Sequence, residues 1–325
     1  MRLALPITSH DDMRPLAAAG ANEFYCGFMD ESWSKVWGNH DSMTRRQGNA
    51  NVAKRAELEA IAALGKQMNT PVWLAVNGSY TGEQLPQIRR LCEQWRELGG
   101  SGVILRDLQL LSSLRGMGLR LCASLLTVCL NHDTLAVLHG NGADRVVLPR
   151  WLTIAEMAAM HKAVPECELE TMVMGDPCPM TDGFCRSVHN VGYSARGDGQ
   201  PAQKQIFTCN VSGKADHLCS QLFGAQTAPG CAACKLAALN VAGISVGKFG
   251  GRGTSLSSRL ERLKFMQIAR DAHPGIDLPK EHAARFGRCL CYFPDVDPSP
   301  AIKGLCCAPM PPFSDGSIDG GEERR

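Results

Sequence analysis

The sequence predicts a (β/α)8 barrel of the TIM type, and three observations predict it. Short, nearly continuous apolar runs recur along the chain, amphipathic helical stretches lie between them, and glycines mark the passage from helix to strand. Parallel strands covered by helices are buried on both faces, so they read as continuous apolar runs rather than as an apolar–polar alternation. An open doubly wound sheet shares this rhythm. No glycine-rich dinucleotide fingerprint follows the first run, however, and that favours the barrel.

The apolar runs in order are residues 3–7, 23–28, 71–77, 102–107, 119–126, 145–149, 169–174 and 244–249, eight in all. Ser9 with Asp11 and Asp12 reads as a helix start, and Thr153 with Glu156 as a capping box. A helix over 52–67 turns Leu58, Ile61 and Leu64 inward, and the next carries Leu85, Ile88, Leu91, Trp95 and Leu98 on one stripe. A later helix begins at Cys231 or Cys234 and runs to Ala242. The last, over 255–272, presents Leu256, Leu260, Leu263, Phe265, Met266 and Ile268. Gly20, Gly99, Gly140 and Gly243 stand where helix gives way to strand. Glycine enters the left-handed conformation at a helix end at little cost.

Two segments break the rhythm. A cysteine-rich insertion, 177–234, follows strand seven, and a C-terminal extension, 276–325, reads as largely irregular with a disordered end. The barrel domain is 1–275, insertion included. The extension carries Cys289, Cys291, Cys306 and Cys307, read as spare thiols in preference to a second metal group.

Composition narrows the function. Hydrophobic residues make up 44% of the 325, enough for a full core, and 34 basic residues against 32 acidic ones announce neither a nucleic-acid binder nor a membrane-surface protein. No apolar run approaches the roughly 20 residues of a membrane span. Residues 1–9 do not read as a secretory signal, so the expected location is cytoplasmic. In a reducing compartment, fifteen cysteines point to metal or redox chemistry rather than disulfides.

Six of them crowd one stretch: Cys178, Cys185, Cys209, Cys219, Cys231 and Cys234. Thiolates gathered this way hold an iron–sulfur cluster or zinc. The spacing is neither a ferredoxin run nor paired C-x2-C, so the residues alone leave cluster, zinc and no metal open. Polar residues at barrel-strand ends face the site, which nominates Asn77 after strand three and Asp107 after strand four. Lys248 and Arg252 after strand eight would hold a substrate carboxylate or phosphate. Trp33, Trp37, Arg45 and Arg46 are read into a long loop after strand two, as a lid or as ordinary packing.

The chain also resembles the peptidase U32 family. Leu3-Ala4-Leu5-Pro6 followed by Ala18 to Gly27 is similar to that family's opening. The stretch 168–185 resembles its signature, a strand ending in Gly and then two Cys seven positions apart. The stretch 231–252 resembles its closing motif. The likeness covers about residues 3–272. It implies a barrel and a [4Fe–4S] cluster, with Cys178, Cys185, Cys209 and Cys231 as ligands and Cys219 and Cys234 as runners-up; zinc is the alternative. It also implies oxygen-independent hydroxylation, which relatives perform on ubiquinone precursors, tRNA or ribosomal RNA. The neutral charge favours a small molecule or peptide over RNA. Where relatives carry His before the signature Gly, this chain has Met174, and where they carry Lys-Ile-Glu-Gly-Arg it has Lys248-Phe249-Gly250-Gly251-Arg252. Two other readings stay open: a peptidase or other hydrolase, as the family name suggests, and a non-catalytic subunit paired with a paralogue.

Overall fold

Eight parallel strands close into a ring in the computed structural model, which describes residues 1–29, 31–37, 43–44, 50–150, 152–175, 183, 230–271, 276–287 and 290–293. They are β1 (Arg2–Pro6), β2 (Glu23–Gly27), β3 (Val72–Val76), β4 (Gly102–Leu105), β5 (Arg120–Ala123), β6 (Arg145–Val147), β7 (Glu168–Gly175) and, past a two-residue β8 (Gly230–Cys231), β9 (Ile244–Phe249). Neighbours in sequence pair with each other, and β9 pairs with both β7 and β1, which closes the barrel. The predicted fold class therefore holds.

Helices cover the outside: α1 (Met13–Ala18), α2 (Glu31–Trp37), α3 (Arg55–Gln67), α4 (Leu85–Glu97), α5 (Leu108–Leu114), α6 (His132–Gly140), α7 (Ile154–Ala163), α8 (Leu236–Val241), α9 (Leu256–Arg270) and α10 (Leu278–Phe286). Outward strand residues such as Leu3, Leu5, Phe24, Leu74, Val103 and Leu121 pack against them in one core. Tyr25, Trp73, Ile104, Cys122 and Val147 point the other way and form a small separate cluster inside the barrel.

Several elements differ from the sequence reading, each for a local reason. Trp33 and Trp37 lie on α2 rather than in a loop. Trp33 is buried, with the Tyr80 ring edge-on at 6.1 Å, while Trp37 donates to Gln87. Arg45 and Arg46 lie outside the described residues. The fifth strand stops at Ala123 because the Ser124 hydroxyl accepts from Leu126 N–H and starts a 3-10 turn, Leu125–Thr127. Residues beyond 275, expected to be largely irregular, include α10. Asp277 caps it, Pro279 sits in its first turn, and His282 and Phe286 meet the Phe265 ring edge-on at 5.5 and 5.6 Å. A two-residue strand, β10 (Leu290–Cys291), pairs with β8, and the buried Tyr292 ring lies over Gly230. Cys289, Cys306, Cys307 and the end of the tail lie outside the described residues.

Both predicted caps are present as capping boxes, Ser9 with Asp12 and Thr153 with Glu156. The first sits beside a His–Glu pair: His10 Nδ1 is 2.7 Å from Glu57 Oε1, and the same oxygen accepts from the His10 amide. That hydrogen bond raises the His10 pKa above the ordinary value. A raised folded pKa contributes stability that is fully present below about 6.5, the unfolded value, and is lost as pH rises through the folded value. An NMR titration of the His10 ring is expected to give a midpoint above the ordinary histidine value, and Glu57→Gln to bring it down. A wild-type midpoint at or below 6.5 would contradict the pairing.

Candidate active site at the barrel mouth

The barrel interior carries charge, and this sets the floor of the site. Arg145, on β6, is fully buried. Its Nη1 donates to Glu23 at 2.8 Å and to Glu170 at 2.9 Å, its Nη2 reaches the other Glu23 oxygen, and its Nε bonds Glu168. The guanidinium lies 4.3 Å from the centre of the Trp73 ring, and Trp73 Nε1–H donates to Glu23 at 2.8 Å. Above this layer Lys248 Nζ contacts Glu170 Oε1 at 2.5 Å and sits 4.4 Å over the Tyr25 ring. The Tyr25 hydroxyl donates to the Phe249 carbonyl, which ties β2 to the end of β9.

Burial alone would neutralise these groups, but mutual attraction reverses that. Burial pushes the Glu170 carboxyl up, and Lys248 and Arg145 more than offset it, so it stays below the usual range. Burial pulls the Lys248 ammonium down, and Glu170 holds it above its usual value. Lys248 is therefore a fixed positive charge, already matched by a carboxylate. Cys122, beside it, has its thiol pushed up chiefly by burial and is inert.

Sequence reasoning missed Glu23, Arg145 and Glu170. The available signal was a charge within a nearly continuous apolar strand, which has no place to go but a buried partner.

The other nominated residues take varied positions. Asn77 follows β3 at the mouth, its Nδ2 3.5 Å from Ser124 Oγ, while its Oδ1 is buried with no partner among the described residues. Asp107 caps α5, accepting from Leu110 N–H at 2.9 Å. Arg252 is buried and donates to the Thr44 carbonyl at 3.0 Å. Gly27 makes room for it, since a Cβ there would meet Arg252 Nη1 at 2.1 Å and Asn51 Oδ1 at 2.3 Å. Arg252 thus pins the segment that follows β2.

Of the six clustered cysteines, Cys178, Cys185, Cys209 and Cys219 lie outside the described residues. Cys231 lies opposite Met174 at the carboxyl end of β7, where β8 runs antiparallel to it. It is 3% exposed, and its Sγ accepts from Ala233 N–H at 3.2 Å. Cys234 is exposed, in the 3-10 turn Ala233–Lys235. Amide donation to sulfur is one of the levers by which proteins tune cluster thiolates, so Cys231 suits a metal-bound role. No group of three metal-ligating side chains occurs among the described residues. No helix among them is long and apolar enough to cross a membrane.

The solved structures this chain is similar to include the U32 peptidase Mk0906, at 18% identity and TM-score 0.42, covering 54% of this chain and 69% of that one. They also include 2,3-dimethylmalate lyase, of the PEP mutase/isocitrate lyase superfamily, at 14% identity and TM-score 0.45, covering 85% of each chain. Oxaloacetate acetylhydrolase is similar at 13% identity and TM-score 0.43, covering 84% and 82%. No curated protein matches the chain. The family model described as Peptidase family U32 matches residues 8–273, well over half of the sequence. The chain belongs to peptidase family U32.

Proposed function

We propose that this chain is an iron–sulfur protein that supports oxygen-independent hydroxylation of a small molecule, a peptide or an RNA. The observation that carries the proposal is Cys231: a buried thiol at the carboxyl end of a barrel strand, with a backbone amide donating to its sulfur. The ligands would be Cys178, Cys185 and Cys209 with Cys231, and Cys219 and Cys234 are the alternatives. Zinc is the competing metal. A bound cluster would supply one-electron chemistry.

The chain's own residues would shape the rest of the site. Lys248, held charged by Glu170, stands at the floor of the mouth, where an anionic group on the substrate would have to share it with that carboxylate. Asn77 Oδ1 offers an acceptor to a substrate N–H or O–H. The Glu170 carboxylate and the Tyr25 ring hold the Lys248 ammonium in place. A compact substrate suits these groups better than a long polyanion.

A second reading, a cluster-bearing partner subunit of a paralogue, is favoured by one observation. Both motif cations are engaged within the fold, Lys248 with Glu170 and Arg252 with the Thr44 carbonyl. The hydrolase reading needs a nucleophile, and Ser124, the serine beside Asn77, accepts from Leu126 N–H as a cap.

Anaerobic purification followed by iron, sulfide and zinc analysis tests the proposal. About four irons and four sulfides per chain are expected. Cys231→Ser is expected to lose most of the iron and the visible absorption. Zinc alone, no metal, or an unchanged cluster in Cys231→Ser would overturn the reading. Hydroxylating activity that returns only with an added paralogue would favour the partner subunit.

A further inference from the structure

The C-terminal extension returns to the barrel mouth and meets the strand that carries Cys231. Helix α9 starts at the mouth, where Arg259 Nη1 donates to the Pro6 carbonyl at the end of β1, at 2.7 Å. It finishes at the opposite end of the barrel, where Gln267 Nε2 donates to the Ala19 and Gly20 carbonyls ahead of β2. Leu290 and Cys291 nevertheless pair with Gly230 and Cys231, and these pair in turn with Gly175 and Met174 at the carboxyl end of β7. Between Asp271 and Leu290 the chain therefore returns from one end of the barrel to the other. Helix α10 lies on that return, docked on Phe265 through His282 and Phe286.

At the mouth this segment is fastened by backbone and side chain together. Tyr292 N–H donates to the Cys231 carbonyl at 3.0 Å. Tyr292 and Phe293 are both buried in the main core, with ring centres 6.3 Å apart. A Cβ on Gly230 would lie 2.5 Å from two carbons of the Tyr292 ring and 2.8 Å from its hydroxyl oxygen, so the ring occupies the space that a side chain there would need. Strand β8 is only two residues long, shorter than ordinary strands, and pairing with β7 alone would hold it weakly. Chain ends order only where something ties them down. Here the tie is mutual: β10 gives β8 a second neighbour, and β8 gives β10 its place in the sheet.

We infer that residues 290–293 are a strap that holds Cys231 at the barrel mouth, with Tyr292 as its positioning residue. The Cys231 sulfur accepts from the Ala233 amide, so its orientation depends on β8 staying where β7 and β10 hold it. The extension is then part of the candidate site, although it lies beyond residues 8–273, which the family model matches. The strap itself needs no metal. Its consequence for a cluster rests on the reading proposed above.

The test uses the full chain with Tyr292→Ala, Tyr292→Phe, Gly230→Ala and the double variant Gly230→Ala with Tyr292→Ala. In metal-free protein, alkylation of Cys231 is followed by mass spectrometry, with Cys122, fully buried inside the barrel, reporting global opening. Tyr292→Ala is expected to raise the Cys231 rate about tenfold, the scale of losing one aromatic packing contact, and to leave Cys122 protected. Tyr292→Phe keeps the ring and should stay near wild type. Gly230→Ala should also raise the rate, by displacing the ring, and should add little once the ring is gone, because both variants act on one contact. In anaerobically loaded protein, the visible absorption of Tyr292→Ala should bleach faster under chelator by a similar factor. An unchanged Cys231 rate in Tyr292→Ala would overturn the strap, and so would a rise that Cys122 shares. A faster Cys231 rate in a protein that takes up no iron would keep the strap and sink the cluster reading.

Discussion

Arg145→Ala is expected to cost about 3–5 kcal/mol of folding stability, the range for stripping one partner from a buried ion pair. The guanidinium is shared by Glu23, Glu168 and Glu170, and the Glu23 and Glu170 side chains are each 1% exposed. Truncation would leave carboxylates in the barrel with fewer partners and remove the cation stacked on Trp73. Arg145→Lys should recover less than half of the loss, because one ammonium cannot span the oxygens that the planar fork reaches. Denaturant unfolding at neutral pH reads the effect directly. A midpoint within about 0.5 kcal/mol of wild type, the scatter of ordinary surface changes, would show that the network does not stabilise the barrel. The acid limb gives a second check. Because the folded Glu170 pKa is depressed, its contribution is complete above about 4.3, the ordinary value, and is lost as pH falls through the lower folded value. Glu170→Gln should therefore flatten the loss of stability on acidification.

Gly175→Ala is expected to be nearly as damaging, for a different reason. Gly175 ends β7 at φ 122, where side chains are strongly disfavoured. A Cβ there would lie 2.8 Å from both the N and the Cα of Gly250, which are backbone atoms. Those atoms cannot retreat without breaking the Gly250 N–H to Met174 carbonyl hydrogen bond, 2.7 Å long. Backbone strain and forced separation together should cost about 2–5 kcal/mol. The damage would fall on the seam between β7 and β9, beside Cys231 and two residues from Lys248. On the cluster reading proposed above, metal retention should drop along with stability. Gly140→Ala is the control: it ends α6 with open space around the added methyl and should be neutral or slightly stabilising. Equal unfolding midpoints for Gly175→Ala and Gly140→Ala would refute the close-approach argument.

What could be read from the chain alone follows from which interactions are local. Apolar runs and the glycines between them predict eight strands because burial on both faces and left-handed helix ends are properties of a few adjacent residues. Ser9 and Thr153 declare their helices because a cap reaches only three residues ahead. Asp107 was legible as a polar residue after a strand but not as the cap of α5, since both roles use the same residue type at the same place.

Tertiary structure alone decided the rest. Arg145 and Glu23 are 122 residues apart, and Lys248 and Glu170 are 78 apart, so closure of the barrel is what makes partners of them. Arg252 reads as a ligand-binding cation until the fold carries the Thr44 carbonyl to it across 208 residues. Helix α10 depends on the Phe265 ring. The sequence by itself determined the barrel and its helix caps. The closed barrel decided which charges neutralise one another, because Coulomb partners and close backbone approaches depend on distance in space and not along the chain.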